Sequence, residues 1–172
     1  MFLKVFKVKS NQKFLNKLLT DRKVAVSNQK MESVGVLLNL NEFSDFEAFR
    51  NYFKHLGLQL PKIKVIAFVE DEKQTAQLWD TFFSRKDFGW NGDIKNIDLQ
   101  EFIKTHFDVL ICYHKVNNLE LNLVTALSNA NFKVGLSNTD KRLYDLIIDI
   151  NPKEFDVFQL ELHKYLTVLN KL

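Results

Sequence analysis

The stretch FDVLICYH, residues 107–114, is the segment of this chain most typical of a buried β-strand. A short apolar run without polar alternation indicates a strand covered on both faces, as in a parallel sheet. Four further runs have the same character, namely SVGVLLN (33–39), KIKVIAFVE (62–70), FKVGLS (132–137) and DLIIDI (145–150). The strand count, and with it the fold class, follows from these runs.

Amphipathic segments lie between the apolar runs and predict helices. The helices are predicted over NEFSDFEAFRNYFKHLGL with Gly57 as the terminal glycine, over 73–83, over 98–107 with Asp98 as N-cap, over 117–130, and after Pro152. Residues 85–99, around the turn signal Asn91-Gly92, are predicted to form a small hairpin or a short edge strand. The alternation predicts an α/β fold with a mostly parallel sheet of five or six strands, Rossmann-like or flavodoxin-like, and helices on both faces.

The first thirty residues, MFLKVFKVKSNQKFLNKLLTDRKVAVSNQK, differ from the rest of the chain in charge. They hold eight Lys or Arg and one acid, a net charge of +7; because the whole chain carries +3, the remainder carries −4. Apolar spacing over residues 2–20 predicts one helix, or two short helices broken near Ser10-Asn11. We therefore divide the chain into a basic N-terminal helical arm, 1–32, and an α/β domain, 33–172. The arm either packs on the domain or projects from it.

Catalytic motifs are missing at the predicted strand ends, where open parallel sheets bind ligands. The sequence has no glycine-rich phosphate loop, no Walker-type Gly-Lys-Ser/Thr and no Gly-x-Ser-x-Gly elbow. Its histidines lack metal-site spacing, and Cys112 lies in an apolar run, where a free cysteine is most often a small buried hydrophobe. We therefore expect no metal, no cofactor and no catalytic residue. A lone cysteine, without a signal peptide or an apolar membrane span, indicates a soluble cytoplasmic protein.

Two loops could still carry chemistry. Glu70, Asp71 and Glu72 resemble a magnesium cluster, although adjacent acids at a strand end favour a solvated loop. The loop SNTDKR (137–142) could present backbone N–H groups to an anion, although Ser and Asp more often cap a helix. A small-molecule or nucleotide-handling enzyme is the alternative that these loops keep open, and it predicts a deep pocket at the strand ends. The residues expected to line that pocket are Asn39, Glu70, His114 and Asn138.

The charge pattern favours an RNA-binding function without catalysis. Lys and Arg that meet phosphates supply most of the affinity for nucleic acids, and a basic arm on an acidic body is typical of proteins on structured RNA. We therefore expect a ribosome-associated accessory protein whose partners are ribosomal RNA and ribosomal proteins. The residues expected to contact phosphates are Lys4, Lys7, Lys9, Lys13, Lys17, Arg22, Lys23 and Lys30, with Lys141 and Arg142 extending the patch.

The same arm has two other interpretations. Its lysines alternate with apolar residues, which is typical of a helix at an anionic membrane surface. Those apolar residues are Phe2, Leu3, Phe6, Phe14 and Leu15. The arm could also be a helix that covers one edge of the sheet and turns a solvated lysine face outward. Trp90, on the FGWNGD turn, is interpreted as an anchor to the core, with stacking on a base or a partner as the alternative.

Several segments of the chain also carry a resemblance to other proteins. NQKFLNKLL, VGVLLN, IAFVEDE, DTFFS..DFGW, LELNLVTALSNANFKVGLSN and RLYDLIIDINPK resemble a family of uncharacterised proteins from flavobacteria and their relatives among the Bacteroidota. The resemblance covers nearly the whole chain, including the basic front. The family has no assigned activity, so the resemblance gives no residue a catalytic role. It implies a lineage-specific accessory factor, which a clade-specific protein on the ribosome would fit.

Overall fold

The computed structural model describes residues 1–71, 73, 75, 80–136 and 139–172. The helices are α1 (Phe2–Asp21), α2 (Phe46–His55), α3 (Ile97–Lys104), α4 (Leu119–Leu127) and α5 (Phe155–Val168). The strands are β1 (Val34–Asn39), β2 (Ile63–Phe68), β3 (Phe82–Phe83), β4 (Val109–Tyr113), β5 (Phe132–Gly135) and β6 (Leu146–Ile147). Short 3₁₀ helices occur at Leu60–Lys62, Arg85–Asp87 and Lys141–Leu143.

The six strands of the described chain form one sheet in the order β3-β2-β1-β4-β5-β6, and every neighbouring pair is parallel. The chain moves outward in one direction through β1, β2 and β3, and then in the other through β4, β5 and β6. This is the doubly wound order of Rossmann-type folds, with its switch point between β1 and β4. The predicted α/β class, with a mostly parallel sheet of five or six strands, is therefore confirmed, and the described sheet has six strands, all parallel.

Both faces of the sheet are buried, as the unbroken apolar runs predict. Val36 of β1 belongs to a core with Phe49 of α2 and Phe158 of α5. Its neighbour Leu37 faces the other way, into a second core that contains residues of α3 and α4. Successive residues of a strand point to opposite faces, so a fully apolar strand needs helices on both sides. The predicted cover on both faces is confirmed.

α1 is one continuous helix that packs on the body through its C-terminal half. Leu15 and Leu19 are buried and belong to the core formed by α3, α4 and the sheet. They lie four residues apart, which places them on one face of the helix. α1 therefore packs against α4. Of the two arrangements that the sequence leaves open, packing is the one observed.

Asn11 fixes the position of α1 along the body. Its side-chain Nδ2 donates to the carbonyl of Gly89 over 3.2 Å, and its Oδ1 accepts from the backbone N–H of Gly92 over 2.9 Å. The backbone of Gly92 has φ +73°, and a Cβ there would meet the ring of Phe14. The turn therefore requires glycine for its backbone conformation and for the close approach of α1.

The outer edge of the sheet differs from the prediction. Phe82 and Phe83, expected at the end of a helix over 73–83, form the edge strand β3 beside β2. The ring of Phe83 packs on that of Phe68 with centroids 5.6 Å apart, and the backbone N–H of Val69 donates to the Phe83 carbonyl over 2.9 Å. Tertiary pairing thus overrides the helical spacing. Residues 76–79, the centre of the predicted helix, lie outside the described part of the chain.

The segment after β3 is more irregular than either predicted form. The hairpin is reduced to one antiparallel bridge between Phe88 and Ile94, closed by a turn with Asn91 at φ 52°. The N-cap of α3 is Asn96, whose side chain accepts from the backbone N–H of Leu99 over 3.0 Å. The prediction of Asp98 as the cap is wrong by two positions, because Asn and Asp are comparable caps and only the loop geometry selects between them.

We expect the packing of α1 to contribute to the stability of the whole molecule. Replacement of Leu15 by Ala removes a buried side chain from the core shared with α4, which should lower the free energy of unfolding by about 2–5 kcal/mol. The matched variant Lys13→Ala, on the exposed side of the same helix, should stay within about 0.5 kcal/mol of the parent. Urea denaturation measures both. Equal stability of Leu15→Ala and the parent would show that α1 is not an integral layer.

Candidate functional site

The carboxyl ends of β1 and β4 form the switch point where doubly wound sheets bind ligands. In this chain, the carboxylate of Glu42 occupies the place at the switch point where a ligand would bind. One oxygen of Glu42 accepts from the backbone N–H groups of Lys115 and Val116, over 2.8 and 3.1 Å, and the other accepts from the side-chain amide of Asn39 over 3.0 Å. Backbone N–H groups that could receive an anionic ligand are therefore already occupied.

His114, at the end of β4, is the most unusual polar group at this edge. It is 1% exposed, and neither ring nitrogen makes a hydrogen bond to any described residue. Burial lowers the pKa of its imidazole from 6.5 to about 4, and the nearby backbone of Val116 opposes this shift only in part. His114 is therefore a neutral ring enclosed at the switch point at pH 7.

Of the four residues expected to line a catalytic pocket, the three that the structure describes do not share an open cleft. Asn39 and His114 are buried, and Asn138 lies outside the described residues. Glu70 lines a surface cleft of about 370 Å³ beside the ends of β2 and β3, together with Asp71, Lys73 and Arg85 but without Asn39 or His114. Within the described chain, no three His, Cys, Asp or Glu side chains are arranged to hold a metal ion.

Charges of both signs line the cleft at the ends of β2 and β3. The guanidinium of Arg85 lies 3.7 Å from carboxylate oxygens of both Glu70 and Glu120. A neighbouring cleft of about 360 Å³ adds Lys4 and Lys7 of α1 to the walls beside Arg85. Glu72, the third acid of the suggested magnesium cluster, lies outside the described residues, and nearby Lys73 and Arg85 favour the interpretation of a solvated, ion-paired loop.

The lysines of α1 divide into two groups. Lys9, Lys13 and Lys17, spaced four apart, form one exposed row on the helix. Lys4 and Lys7 instead line the cleft beside Arg85, and the ammonium of Lys7 donates to the backbone carbonyl of Phe88 over 2.8 Å. Lys23 and Lys30, in the connector that follows α1, are exposed. The row of three is therefore the part of α1 most accessible to a large anionic partner.

Arg22 holds the end of α1 against the segment before β6. Its guanidinium donates to Asp145 over 2.6 Å and to the backbone carbonyl of Arg142 over 2.7 Å. The guanidinium of Arg142 donates to the side chain of Asn16 on α1 over 3.4 Å and to Asp140 over 2.7 Å, and its bonds to Asp140 lower the pKa of that carboxyl. Two basic segments that are remote in sequence thus meet at one surface.

The sequence predicted that Trp90 and Cys112 are both buried in the core. Trp90 is 48% exposed, so the interpretation of Trp90 as a core anchor is wrong, and Phe88 on the same turn is buried instead. Cys112 is buried, as expected, and its thiol lies 3.3 Å from the hydroxyl of Thr125. Burial raises the pKa of the Cys112 thiol to about 12, which excludes a reactive thiolate at neutral pH.

A cationic group inside β5 was not recognised from the sequence. Lys133 lies inside β5, is 5% exposed, and donates from Nζ to the carbonyl of Thr125 over 2.6 Å. Burial lowers the pKa of its ammonium from 10.5 to about 8. The sequence did contain a signal, a lysine inside the otherwise apolar strand FKVG. Lysine is rarely buried without a partner, so a lysine at such a position is unusual.

Comparison with known proteins places the chain in one family. Residues 7–169 match a family of unknown function, DUF6913, and the chain belongs to that family. A search of curated proteins and a search of solved structures each returned no significant match. None of the helices described here has the length and hydropathy needed to cross a membrane.

The buried imidazole of His114 predicts a pH-dependent stability. Between pH 6.5 and 4 the unfolded chain binds a proton that the folded chain does not, so stability should fall as the pH falls through this window, by about 3 kcal/mol in total. The variant His114→Leu removes the titrating group while keeping an apolar side chain of similar size. Its stability, measured by urea denaturation across this window, should lose that part of the pH dependence. An unchanged slope would mean that His114 is not enclosed as a neutral ring.

Proposed function

We propose that this protein is a non-catalytic RNA-binding accessory protein that associates with the ribosome and contacts RNA phosphates through the exposed lysines of α1. The observation that supports the proposal most directly is the orientation of α1. Leu15 and Leu19, the apolar side of its C-terminal half, are buried in the core shared with α4, which leaves Lys9, Lys13 and Lys17 in an exposed row. At 1.5 Å per residue this row extends over about 12 Å of helix.

The surroundings of this row favour a polyanionic partner. α1 contains no acidic residue before Asp21, its last residue. Beside α1, Asp140 and Asp145 each accept a hydrogen bond from an arginine, so their charges are paired locally. Lysine contacts with phosphates release counterions, which gives affinity without sequence specificity and a steep dependence on salt. Lys141 and Arg142 would extend the surface where their segment meets α1.

The proposal also includes Trp90, the partners, the cellular location and the distribution of the family. Trp90 has the exposure needed to stack on an unpaired base, as aromatic side chains do in many RNA-binding proteins. Ribosomal RNA and ribosomal proteins are the proposed partners, and the cytoplasm is the proposed location. We further propose that the family is restricted to Bacteroidota, as an accessory factor of one lineage would be.

The proposal predicts that the exposed lysines control association with ribosomes. In a variant with Lys9, Lys13, Lys17 and Lys23 replaced by Gln, comigration with a ribosomal subunit at low salt should be lost on a sucrose gradient of cell lysate. For purified RNA, removal of four phosphate contacts should reduce the slope of log K against log salt by about 3. Arg22 is left intact because its ion pair with Asp145 would confound binding with folding.

A matched variant controls for net charge. Replacement of Lys54, Lys62, Lys64 and Lys153 by Gln removes the same charge from exposed positions elsewhere in the chain. This control should comigrate with the subunit like the parent protein. A parent that stays at the top of the gradient at every salt concentration would refute ribosome association. Equal losses in the two variants would refute the specific role of α1.

An anionic membrane surface is the second candidate, and one observation favours it. The first two turns of α1 expose Phe2 and Leu3 at 78% and 74%, and Val5, Phe6 and Val8 are also exposed. An apolar surface of this kind beside lysines is typical of helices that lie in the lipid headgroup region. This patch is distinct from the lysine row, so the two candidates can be separated by mutation.

The membrane candidate predicts cosedimentation with vesicles of phosphatidylserine and phosphatidylcholine, and none with phosphatidylcholine alone. Replacement of Phe2 and Phe6 by Ser should abolish it, because burial of each aromatic ring supplies about 1.5–3 kcal/mol. The same variant should retain its position on the ribosome gradient. Absence of cosedimentation at low salt would eliminate the membrane candidate.

A further inference from the structure

A second basic site lies at the opposite end of the sheet from the switch point. A cleft of about 350 Å³, here called the cationic cleft, separates the end of α1 from the connection between α4 and β5. Its polar walls include Arg22, Lys23, His106, Asn129, Asn131 and Lys133. Among the described residues that line the cationic cleft, none is Asp or Glu.

Lys133 is the distinctive group of this cleft. An ammonium group has three donor protons, and among the described residues Nζ of Lys133 has one hydrogen-bond acceptor, the carbonyl of Thr125. A buried ammonium is costly unless further acceptors or an opposite charge compensate it. The depressed pKa of Lys133 reflects its burial first, and the positive charge of Arg22 acts in the same direction. An anion in the cleft would supply the missing acceptors and charge.

The nearest negative charge does not fully compensate this group. Asp145 accepts from the guanidinium of Arg22 through one carboxylate oxygen and from the backbone N–H of Lys133 through the other. With Asp145 balancing Arg22, the ammonium groups of Lys133 and Lys23 remain as two positive charges at the cleft. The buried thiol of Cys112 is neutral and adds none.

We infer that the cationic cleft binds a phosphate group, held by the ammonium of Lys133 and assisted by Lys23 and the side-chain amides of Asn129 and Asn131. A phosphate presents several acceptor oxygens, and the walls of the cleft carry donor groups from the end of α1, the α4–β5 connection and β5. Charge-assisted hydrogen bonds of this kind are the stronger class in proteins. The phosphate could belong to an RNA backbone or to a free phosphorylated small molecule, which share this chemistry.

The first test uses inorganic phosphate and the full-length protein. Amide resonances of Ser128–Lys133 should shift with saturation when phosphate is added, but not when chloride is added at equal ionic strength. In protein labelled with ¹⁵N-lysine, phosphate should raise the pKa of the Lys133 ammonium, because a bound anion favours its charged form. This measurement needs no mutation. An unchanged Lys133 pKa, or equal shifts with chloride, would overturn the inference.

Variants test the assignment of the site. Lys133→Met keeps the length of the side chain and should weaken phosphate binding at least about tenfold, the loss expected for one charge-assisted hydrogen bond. Lys54→Met removes the same charge from an exposed position on α2 and should change the affinity less than about twofold. Equal effects of the two variants would count against a site at Lys133.

Competition with RNA identifies the source of the phosphate. If phosphate displaces RNA and Lys133→Met weakens RNA binding, the site holds an RNA phosphate. If phosphate binds to protein whose RNA affinity is insensitive to Lys133→Met, the site holds a small phosphorylated molecule, and the inference also stands. The two proposals can fail separately, although Lys23 belongs to both surfaces. Phosphate binding without any RNA binding would refute the proposed function alone. RNA binding without phosphate binding would refute this inference alone.

Discussion

Burial of an all-parallel sheet on both faces is the constraint on which the rest of this structure depends. Every strand must find helical cover on each side, because its apolar side chains alternate between the faces. α2 and α5 cover one face, and α3 and α4 cover the other. α1 then adds its buried Leu15 and Leu19 to the α3–α4 core. The orientation of its lysines is thus a consequence of core packing.

Much of this architecture was predictable, because strands buried on both faces leave a strong local signal. Runs such as VGVLLN at 34–39 and FDVLICYH at 107–114 contain the observed strands β1 and β4. The edge strand β3 was not predictable, since it has two residues and its identity depends on pairing with Ala67 and Phe68 of β2. A short apolar run carries no period that separates a strand from a helix end.

For the basic surface of α1, the sequence predicted which residues take part but not which residues lie beside them in the fold. The lysines of α1 are evident from the sequence, and their exposure follows from which residues are apolar. That Arg22 pairs with Asp145, more than a hundred residues away, follows from the fold and has no local signal. For the same reason, Lys133 could be recognised as unusual inside its strand, but its neighbour Arg22, more than a hundred residues away in the sequence, could not be identified. Long-range juxtaposition is the information that a single sequence lacks.

The distribution of charge over the fold explains why the proposals concern α1 and not the usual crevice. At the switch point, Glu42 occupies the backbone donors of Lys115 and Val116, and the adjacent His114 is neutral. An anion could enter only by displacing a carboxylate, against repulsion between like charges. Along α1 the situation is reversed, because lysines outnumber acids and the nearby Asp140 and Asp145 are paired with arginines. A polyanion would therefore be attracted to the α1 side of the molecule.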